Sequence, residues 1–289
     1  MNSTRDTAQD KKRLTAFDIR LQKGGRKLSM ISIYDVAFAR LAEEAGIDIL
    51  LVGDSLGMVV QGFDSTVPVR LDDIIYHARA VRRGAPHTHV VADMPFLTYH
   101  IDTPRAIENA GRLMQDALAD SVKLEGGRDV AGRVQAISRS GIPVMGHIGL
   151  TPQSAGALGG FKVQGRDVAS ARRIIDDAKA IEDAGAYAMV VEVVPAELGA
   201  MITDAVSIPT IGIGAGPTCD GQVLVGHDML GLQERIIGRF AKVFVDAGDQ
   251  IRDAFATYRA EVETGEFPDV EHSYAMSAET LAELSRAID

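Results

Sequence analysis

The chain has no tryptophan and one cysteine, Cys219, in 289 residues. A single thiol excludes an internal disulfide and fits a reducing compartment. Aromatic residues make up 5%, a poor composition for stacking successive nucleobases. Basic residues are in the minority: 30 Lys and Arg face 40 Asp and Glu, a net charge of −10. Non-specific binding to nucleic acid rests on Lys and Arg neutralising phosphates, so the balance argues against it, and against an anionic membrane surface. Long hydrophobic runs are also missing. The longest stretch free of Asp, Glu, Lys and Arg, Ser140 to Phe161, carries six glycines and two prolines. It reads as a strand followed by a loop, because such a stretch in lipid would leave backbone groups unpaired. The opening M-N-S-T-R-D-T-A-Q-D-K-K-R has no apolar core and is no secretory signal. The expected location is the cytoplasm, with residues 1–13 a disordered arm.

What is present is an ordinary globular composition, 46% hydrophobic and 24% charged. Short apolar runs alternate with helix-like stretches. The runs are Leu28–Tyr34, Ile47–Gly53, His89–Ala92, Ser121–Glu125, Ile142–Ile148, Ala186–Val194, Ile208–Ile213 and Gln222–Gly226. They are continuous rather than alternating, as parallel strands covered on both faces should be. Between them lie Val36–Glu44, Leu71–Arg83, Pro104–Leu118 and Ala169–Ala184; in the last, Ile174, Ala178 and Ile181 recur at helical spacing. Helices are also expected within residues 14–24, over 249–264 and over Ser277–Ile288. About eight strand–helix units in this length predict a single (β/α)8 TIM barrel, an α/β fold. The expected organisation is an arm at 1–13, a catalytic barrel at 14–274 and a C-terminal tail helix at 275–289. An open doubly wound sheet is the alternative, since periodicity does not distinguish the two.

The informative pattern lies at the ends of the runs. L-L-V-G-D-S places Asp54, V-V-A-D places Asp93, S-V-K-L-E-G-G places Glu125, P-V-M-G-H places His147 and M-V-V-E places Glu192. In a barrel the C-terminal strand ends meet at one face, where active sites are built. Lys123 and Glu125 are two apart on one strand, so their side chains point the same way. Taken singly, each acid reads at least as well as a helix N-cap or a loop residue; four in the same register do not. Four carboxylates at one mouth must be protonated, paired or bound to a cation. A set with no cysteine and one histidine suits a hard ion such as Mg²⁺ better than zinc. Lys123 offers a positive charge for a carboxylate of the site or of a substrate.

Other signals are weaker. Gly212-Ile213-Gly214-Ala215-Gly216 sits where barrel loops often cradle phosphate, and equally where a tight turn would pack. Gly156–Gly165 is glycine-rich and reads as a mobile lid, a surface loop or an oligomer contact. His77 sits on a helical stretch, and the remaining histidines have no metal-ligand spacing. Cys219 has no base beside it in sequence.

At these residues the sequence closely resembles the ketopantoate hydroxymethyltransferase family, over about residues 27–274. The segments that carry the resemblance are long and ungapped: L-V-G-D-S-L-G-M at 51–58, Q-G-F-D-S-T at 61–66, A-V-R-R-G-A-P at 80–86 and A-D-M-P-F at 92–96. They continue with V-K-L-E-G-G at 122–127, G-H-I-G-L-T-P-Q-S at 146–154, G-G-F-K-V-Q-G-R at 159–166 and G-I-G-A-G at 212–216. The resemblance implies that Asp54, Asp93 and Glu125 ligate Mg²⁺. It implies that Asp54, Ser55, Asp93 and Lys123 hold a 2-oxo acid, and that Glu192 is the proton acceptor. His147 is implied as a pocket residue. The implied reaction is Mg²⁺-assisted enolisation of 3-methyl-2-oxobutanoate, then hydroxymethyl transfer from 5,10-methylenetetrahydrofolate, giving ketopantoate for pantothenate and coenzyme A. The family also implies a homo-oligomer, commonly a decamer. No residue is assigned to the folate. The departures from the family pattern are the N-terminal arm and the tail after Tyr274.

Two other classes remain at this point. Barrels of the phosphoenolpyruvate mutase and isocitrate lyase type also hold Mg²⁺ and a 2-oxo acid with strand-end acids, as C–C lyases or mutases. No catalytic cysteine motif of the lyase kind is visible. A non-catalytic scaffold is the other, and it has no reason to keep mutually repelling acids together.

Overall fold

Each of the eight apolar runs forms a strand. In the computed structural model, which describes residues 13–233 and 238–288, these are β1 Leu28–Ser32, β2 Ile49–Val52, β3 His89–Asp93, β4 Ser121–Glu125, β5 Val144–Gly149, β6 Ala188–Glu192, β7 Thr210–Ile213 and β8 Gly221–Val225. All neighbouring pairs are parallel, and β1 pairs with β8 from Leu28↔Gly221 to Ser32↔Val225. That pairing closes the sheet into a barrel and excludes the open doubly wound alternative. The helices are α1 Ala16–Arg20, α2 Val36–Glu44, α3 Leu56–Val59, α4 Leu71–Gly84, α5 Thr103–Gln115, α6 Ala131–Arg139, α7 Val168–Asp183, α8 Ala196–Ala205, α9 Gly226–Met229, α10 Ala247–Thr264 and α11 Ala278–Ile288. No helix among the described residues is long and apolar enough to cross a membrane.

Local chemistry sets the boundaries. Asp35 caps α2 by accepting from the Ala37 and Phe38 N–H groups, and Asp102 caps α5 by accepting from Arg105 N–H, with Pro104 in its first turn. The sequence pattern carries α5 to Leu118, but the helix stops at Gln115. Leu118 has φ 59°, which a right-handed helix cannot contain. Strand β5 begins at Val144 rather than Ile142, because Pro143 has no N–H to give to the ladder.

Because strand residues alternate, the barrel has two cores. Inside it, Leu28, Met30, Ile49, Leu51, Val91, Met145, Val190, Ile211 and Val223 form one buried cluster. Outside it, Leu50, Val52, Val90, Val122, Leu124 and Val144 pack against Ile74, Leu113, Val134 and Ile181 of the surrounding helices. Ile19 of α1 joins the inner cluster and is fully buried. The short helix expected within 14–24 is therefore a plug for the N-terminal end of the barrel. Residues 1–12 of the expected arm lie outside the described residues; Arg13 pairs with Asp120 at 3.2 Å. Helices α10 and α11 bury no residue.

Candidate active site

Asp93, Glu125 and Glu192 are the last residues of β3, β4 and β6, and Asp54 lies two residues past β2. Strand register sets them side by side. Asp93 is the partner of Lys123, and Glu125 of His147. Gly149 at the end of β5 has φ 91°, and a Cβ there would collide with the Glu192 carbonyl oxygen, so only glycine lets β5 and β6 close up at this point. All six side chains line one cavity of about 360 Å³, together with Ser55. Its walls are mostly apolar, with Leu51, Met58, Leu150, Phe161, Ile213 and Phe240 among them, and carry Ser32, Thr66 and Asp228 as polar exceptions. The cavity therefore has a charged floor and largely hydrocarbon sides.

Asp54, Asp93, Lys123, Glu125 and His147 are each less than 5% exposed, so their charges interact strongly. Lys123 Nζ is 3.0 Å from Asp93 Oδ1 and 3.1 Å from His147 Nδ1. His147 Nδ1 is 3.3 Å from Glu125 Oε1, and its Nε2 is 3.1 Å from Glu192 Oε2. Ser55 Oγ is 2.7 Å from the Tyr34 hydroxyl.

Burial raises the Asp54 carboxyl well above its usual range, and the neighbouring Asp93 and Glu125 add to this. Asp93 is raised by burial, against the opposing pull of Lys123. For Lys123, burial alone would lower the ammonium, but Asp93, Glu125 and Asp54 more than reverse that and raise it. Burial and Lys123 oppose a charge on His147, yet Glu125 and Glu192 push it up to about 9. Burial would raise Glu125, but His147, Lys123 and the Gln153 N–H hold it low. The cluster is short of positive charge around Asp54, where repulsion from Asp93 and Glu125 adds to the larger effect of burial.

Each of three carboxylates has one oxygen tied to an amide N–H. Asp54 Oδ2 accepts from Gln153 Nε2 at 2.7 Å, Asp93 Oδ2 from Asp54 N at 2.9 Å, and Glu125 Oε2 from Gln153 N at 3.0 Å. Of the opposite oxygens, Asp93 Oδ1 and Glu125 Oε1 are buried with ionic neighbours but no well-formed hydrogen bond. Among the described residues, no group of three His, Cys, Asp or Glu side chains is placed to hold a metal ion. The donor set still fits a hard cation: it is all oxygen, over-acidic, and keeps one under-used oxygen on Asp93 and on Glu125.

The structure thus brings together the residues that the strand ends point to, Asp54, Asp93, Lys123, Glu125, His147 and Glu192, with Ser55, which the resemblance adds. Sequence reasoning missed Gln153 and Tyr99, which are neutral and lie in loops. Gln153 falls within the T-P-Q-S segment just past a strand end, a position that was its only signal. Of the weaker features, the glycine-rich stretch puts Phe161 on the cavity wall. In G-I-G-A-G, a Cβ on Gly216 (φ 83°) would lie 2.6 Å from the Ala196 Cβ, which favours the tight-turn reading. His77 Nδ1 bonds the Tyr34 carbonyl at 2.7 Å, and Cys219 is buried.

Known proteins share this fold. Solved structures of the same barrel include a phosphonopyruvate hydrolase (TM-score 0.61, 15% identity, 95% of this chain and 96% of that one). A 2,3-dimethylmalate lyase of the PEP mutase/isocitrate lyase superfamily is similar (TM-score 0.59, 16% identity, 96% and 100%). The hydrolase has also been solved with oxalate and Mg²⁺ (TM-score 0.60, 14% identity, 95% and 96%). At such identities the likeness is one of fold. Sequence relatives reach much further. Proteins named 3-methyl-2-oxobutanoate hydroxymethyltransferase are 54% identical over 254 residues in Syntrophus aciditrophicus (88% of this chain, 93% of that one). In Geobacter metallireducens the figure is 53% over 262 residues (90% and 98%). The model of the ketopantoate hydroxymethyltransferase family matches residues 13–270, a span holding every residue of the acid-floored cavity, and it is to this family that the chain belongs.

Proposed function

We propose that the chain transfers a hydroxymethyl group from 5,10-methylenetetrahydrofolate to 3-methyl-2-oxobutanoate, giving 2-dehydropantoate (ketopantoate) for pantothenate and coenzyme A biosynthesis. The observation that carries this reading is the division of labour on the cavity floor. Three carboxylates share one end with Lys123, while Glu192 stands apart behind His147.

In this reading Asp54, Asp93 and Glu125 hold Mg²⁺, and Asp54, Ser55, Asp93 and Lys123 hold the 2-oxo acid. Mg²⁺ supplies Lewis acidity, stabilising the negative charge that builds on the keto oxygen as the C3 proton leaves. Lys123, buried and charged, adds a fixed ammonium beside the substrate's carboxylate end. The apolar walls take the substrate's two methyl groups and exclude water. Glu192 accepts the C3 proton as general base. His147 Nε2 lies 3.1 Å from Glu192 Oε2, close enough to limit that carboxylate's rotation. Water replaces both C–N bonds of the folate's methylene bridge, its protons passing to the two nitrogens, so that tetrahydrofolate leaves and the carbon is freed at the level of formaldehyde. The carbanion equivalent at C3 then adds to that carbonyl carbon, and the oxygen takes the proton held by Glu192 to become the hydroxyl.

The lyase or mutase alternative shares the fold, but no observation favours it over the family's reaction. The catalytic unit is the stretch 14–274, with the tail helix at 275–289 outside it. The family role points to the cytoplasm and to a homo-oligomer, a decamer. The unburied α10, with Phe255 and Tyr258 exposed, suits association. The deciding assay is tetrahydrofolate-dependent formation of ketopantoate from 3-methyl-2-oxobutanoate and formaldehyde with Mg²⁺. Cleavage of a 2-oxo acid or related substrate without folate would sink the reading.

A further inference from the structure

We infer that Gln153 is a positioning residue that sets the orientation of Asp54 and Glu125 together, with Tyr99 as its lock. This deepens the proposed function and rests on reading those two acids as cation ligands. Gln153 is 5% exposed and sits in the 3₁₀ turn Pro152–Ser154. It does not line the cavity. Its backbone N–H donates to Glu125 Oε2 at 3.0 Å, and its side-chain Nε2 donates to Asp54 Oδ2 at 2.7 Å and to the Met94 carbonyl at 3.0 Å. Both hydrogens of the amide are thereby used. The Tyr99 hydroxyl has one proton and two acceptors in reach, Gln153 Oε1 at 2.8 Å and, farther off, the Glu125 carbonyl at 3.1 Å; it accepts from Glu125 N–H at 3.2 Å.

This arrangement has one orientation. Turning the amide over would set Oε1 against two acceptors, Asp54 Oδ2 and the Met94 carbonyl. One residue therefore supplies two of the three amide donors that anchor the acids. It does so without charge. A lysine there would neutralise the acids and compete with a cation, whereas an amide orders them and leaves their charge available.

The test uses the full-length protein and Mn²⁺ alone as probe, with free Mn²⁺ read by electron paramagnetic resonance. Gln153→Met keeps length and removes every side-chain hydrogen bond. Mn²⁺ affinity should fall about 10–100-fold, the usual cost of losing a group that orients ligands. KM for the 2-oxo acid should rise with it, while kcat at saturating Mg²⁺ changes less. Tyr99→Phe keeps the ring, frees the amide and should move both readouts the same way by less. A role in packing alone would lower the melting temperature and leave Mn²⁺ affinity and KM at wild-type values, which would overturn the inference. If Gln153→Met does not fold, Tyr99→Phe decides, and unchanged Mn²⁺ affinity overturns it. A wild-type chain that bound no Mn²⁺ would overturn the ligand reading and this inference with it. A wild type that binds Mn²⁺ beside variants that bind it equally well would remove only the role of Gln153.

Discussion

The two ends of the barrel bury similar chemistry in opposite ways. At the N-terminal end, Asp48 accepts from Arg26 through both oxygens and from the Ser29 N–H and hydroxyl. Asp220 accepts from Lys23 and from the Gly24 and Thr210 N–H groups. Despite burial, these hydrogen bonds hold both carboxyls below their usual range. Burial lowers the His89 imidazole below its usual range; its Nδ1 meets the Leu14 carbonyl, and its Nε2 meets Ser121. Every one of these groups is satisfied, and Ile19 seals the end. At the C-terminal end Asp54 and Asp93 are raised instead, and buried oxygens of Asp93 and Glu125 lack good hydrogen bonds. The difference teaches where the molecule is built for stability and where it keeps unspent charge for a ligand.

The comparison breaks most sharply if the mouth works without a cation. Thorough chelation should reduce turnover to background, and added Mg²⁺ should restore it; full activity in chelator would end the ligand assignment. Asp93→Ala should weaken metal and 2-oxo acid binding together.

Next in size is Glu192→Gln, which keeps shape and removes basicity. Turnover should fall roughly 10²–10⁴-fold, the usual contribution of a positioned base. Exchange of the C3 hydrogen of 3-methyl-2-oxobutanoate with deuterated solvent, followed by proton NMR without folate, should fall equally. Melting temperature and Mg²⁺ binding should not change. Wild-type exchange in this variant would move the base elsewhere, with His147 the first to test.

At the other end, Ile19→Ala should cost about 2–5 kcal/mol of stability, because a buried isoleucine leaves a cavity when truncated. Denaturant melts should register that loss while KM and kcat of the folded fraction stay at wild-type values. A kinetic change without a stability change would mean that the plug communicates with the mouth.

The smallest effect separates the ends by the sign of a pH dependence. Asp48 has a folded-state pKa below its ordinary 3.8. Its contribution to stability is therefore present above that value and is lost as pH falls through the lower, folded one. Asp48→Asn should lower stability by about 1–3 kcal/mol at pH 7, a deficit constant down to about pH 5 that shrinks only below about pH 4. Asp54 is raised, so its ionisation works against the metal-free fold. Asp54→Asn should stabilise the metal-free protein at neutral pH and abolish turnover. Melts of both variants with chelator present check this, and destabilisation by Asp54→Asn would contradict the account of the mouth.

Much of this was readable along the chain. Continuous apolar runs mark parallel strands because both faces of each strand are covered, and the acids stand out because a carboxylate ending such a run is costly without a purpose. The limits appear at particular residues. Leu118 ends α5 through a backbone angle that helical periodicity does not encode. Gln153 and Tyr99 are uncharged and break no pattern; only the place of Gln153 just past a strand end, in a segment that carries the resemblance, marks it out, and Tyr99 has no such mark. Residues 14–24 carried a helix signal, but not the information that Ile19 enters the barrel.

Sequence alone determined which residues are strands, which acids end them and, through long ungapped segments, the family. Those properties are local, since hydrophobic burial acts on each run by its own composition. Closure, and the contacts across the mouth, were decided by the tertiary structure. Asp54 meets Gln153 across 99 residues of chain, and Lys123 meets Asp93 because β3 and β4 pair in one register. Charges and hydrogen bonds act over a few ångströms, so their partners exist only once the strands have closed into a barrel.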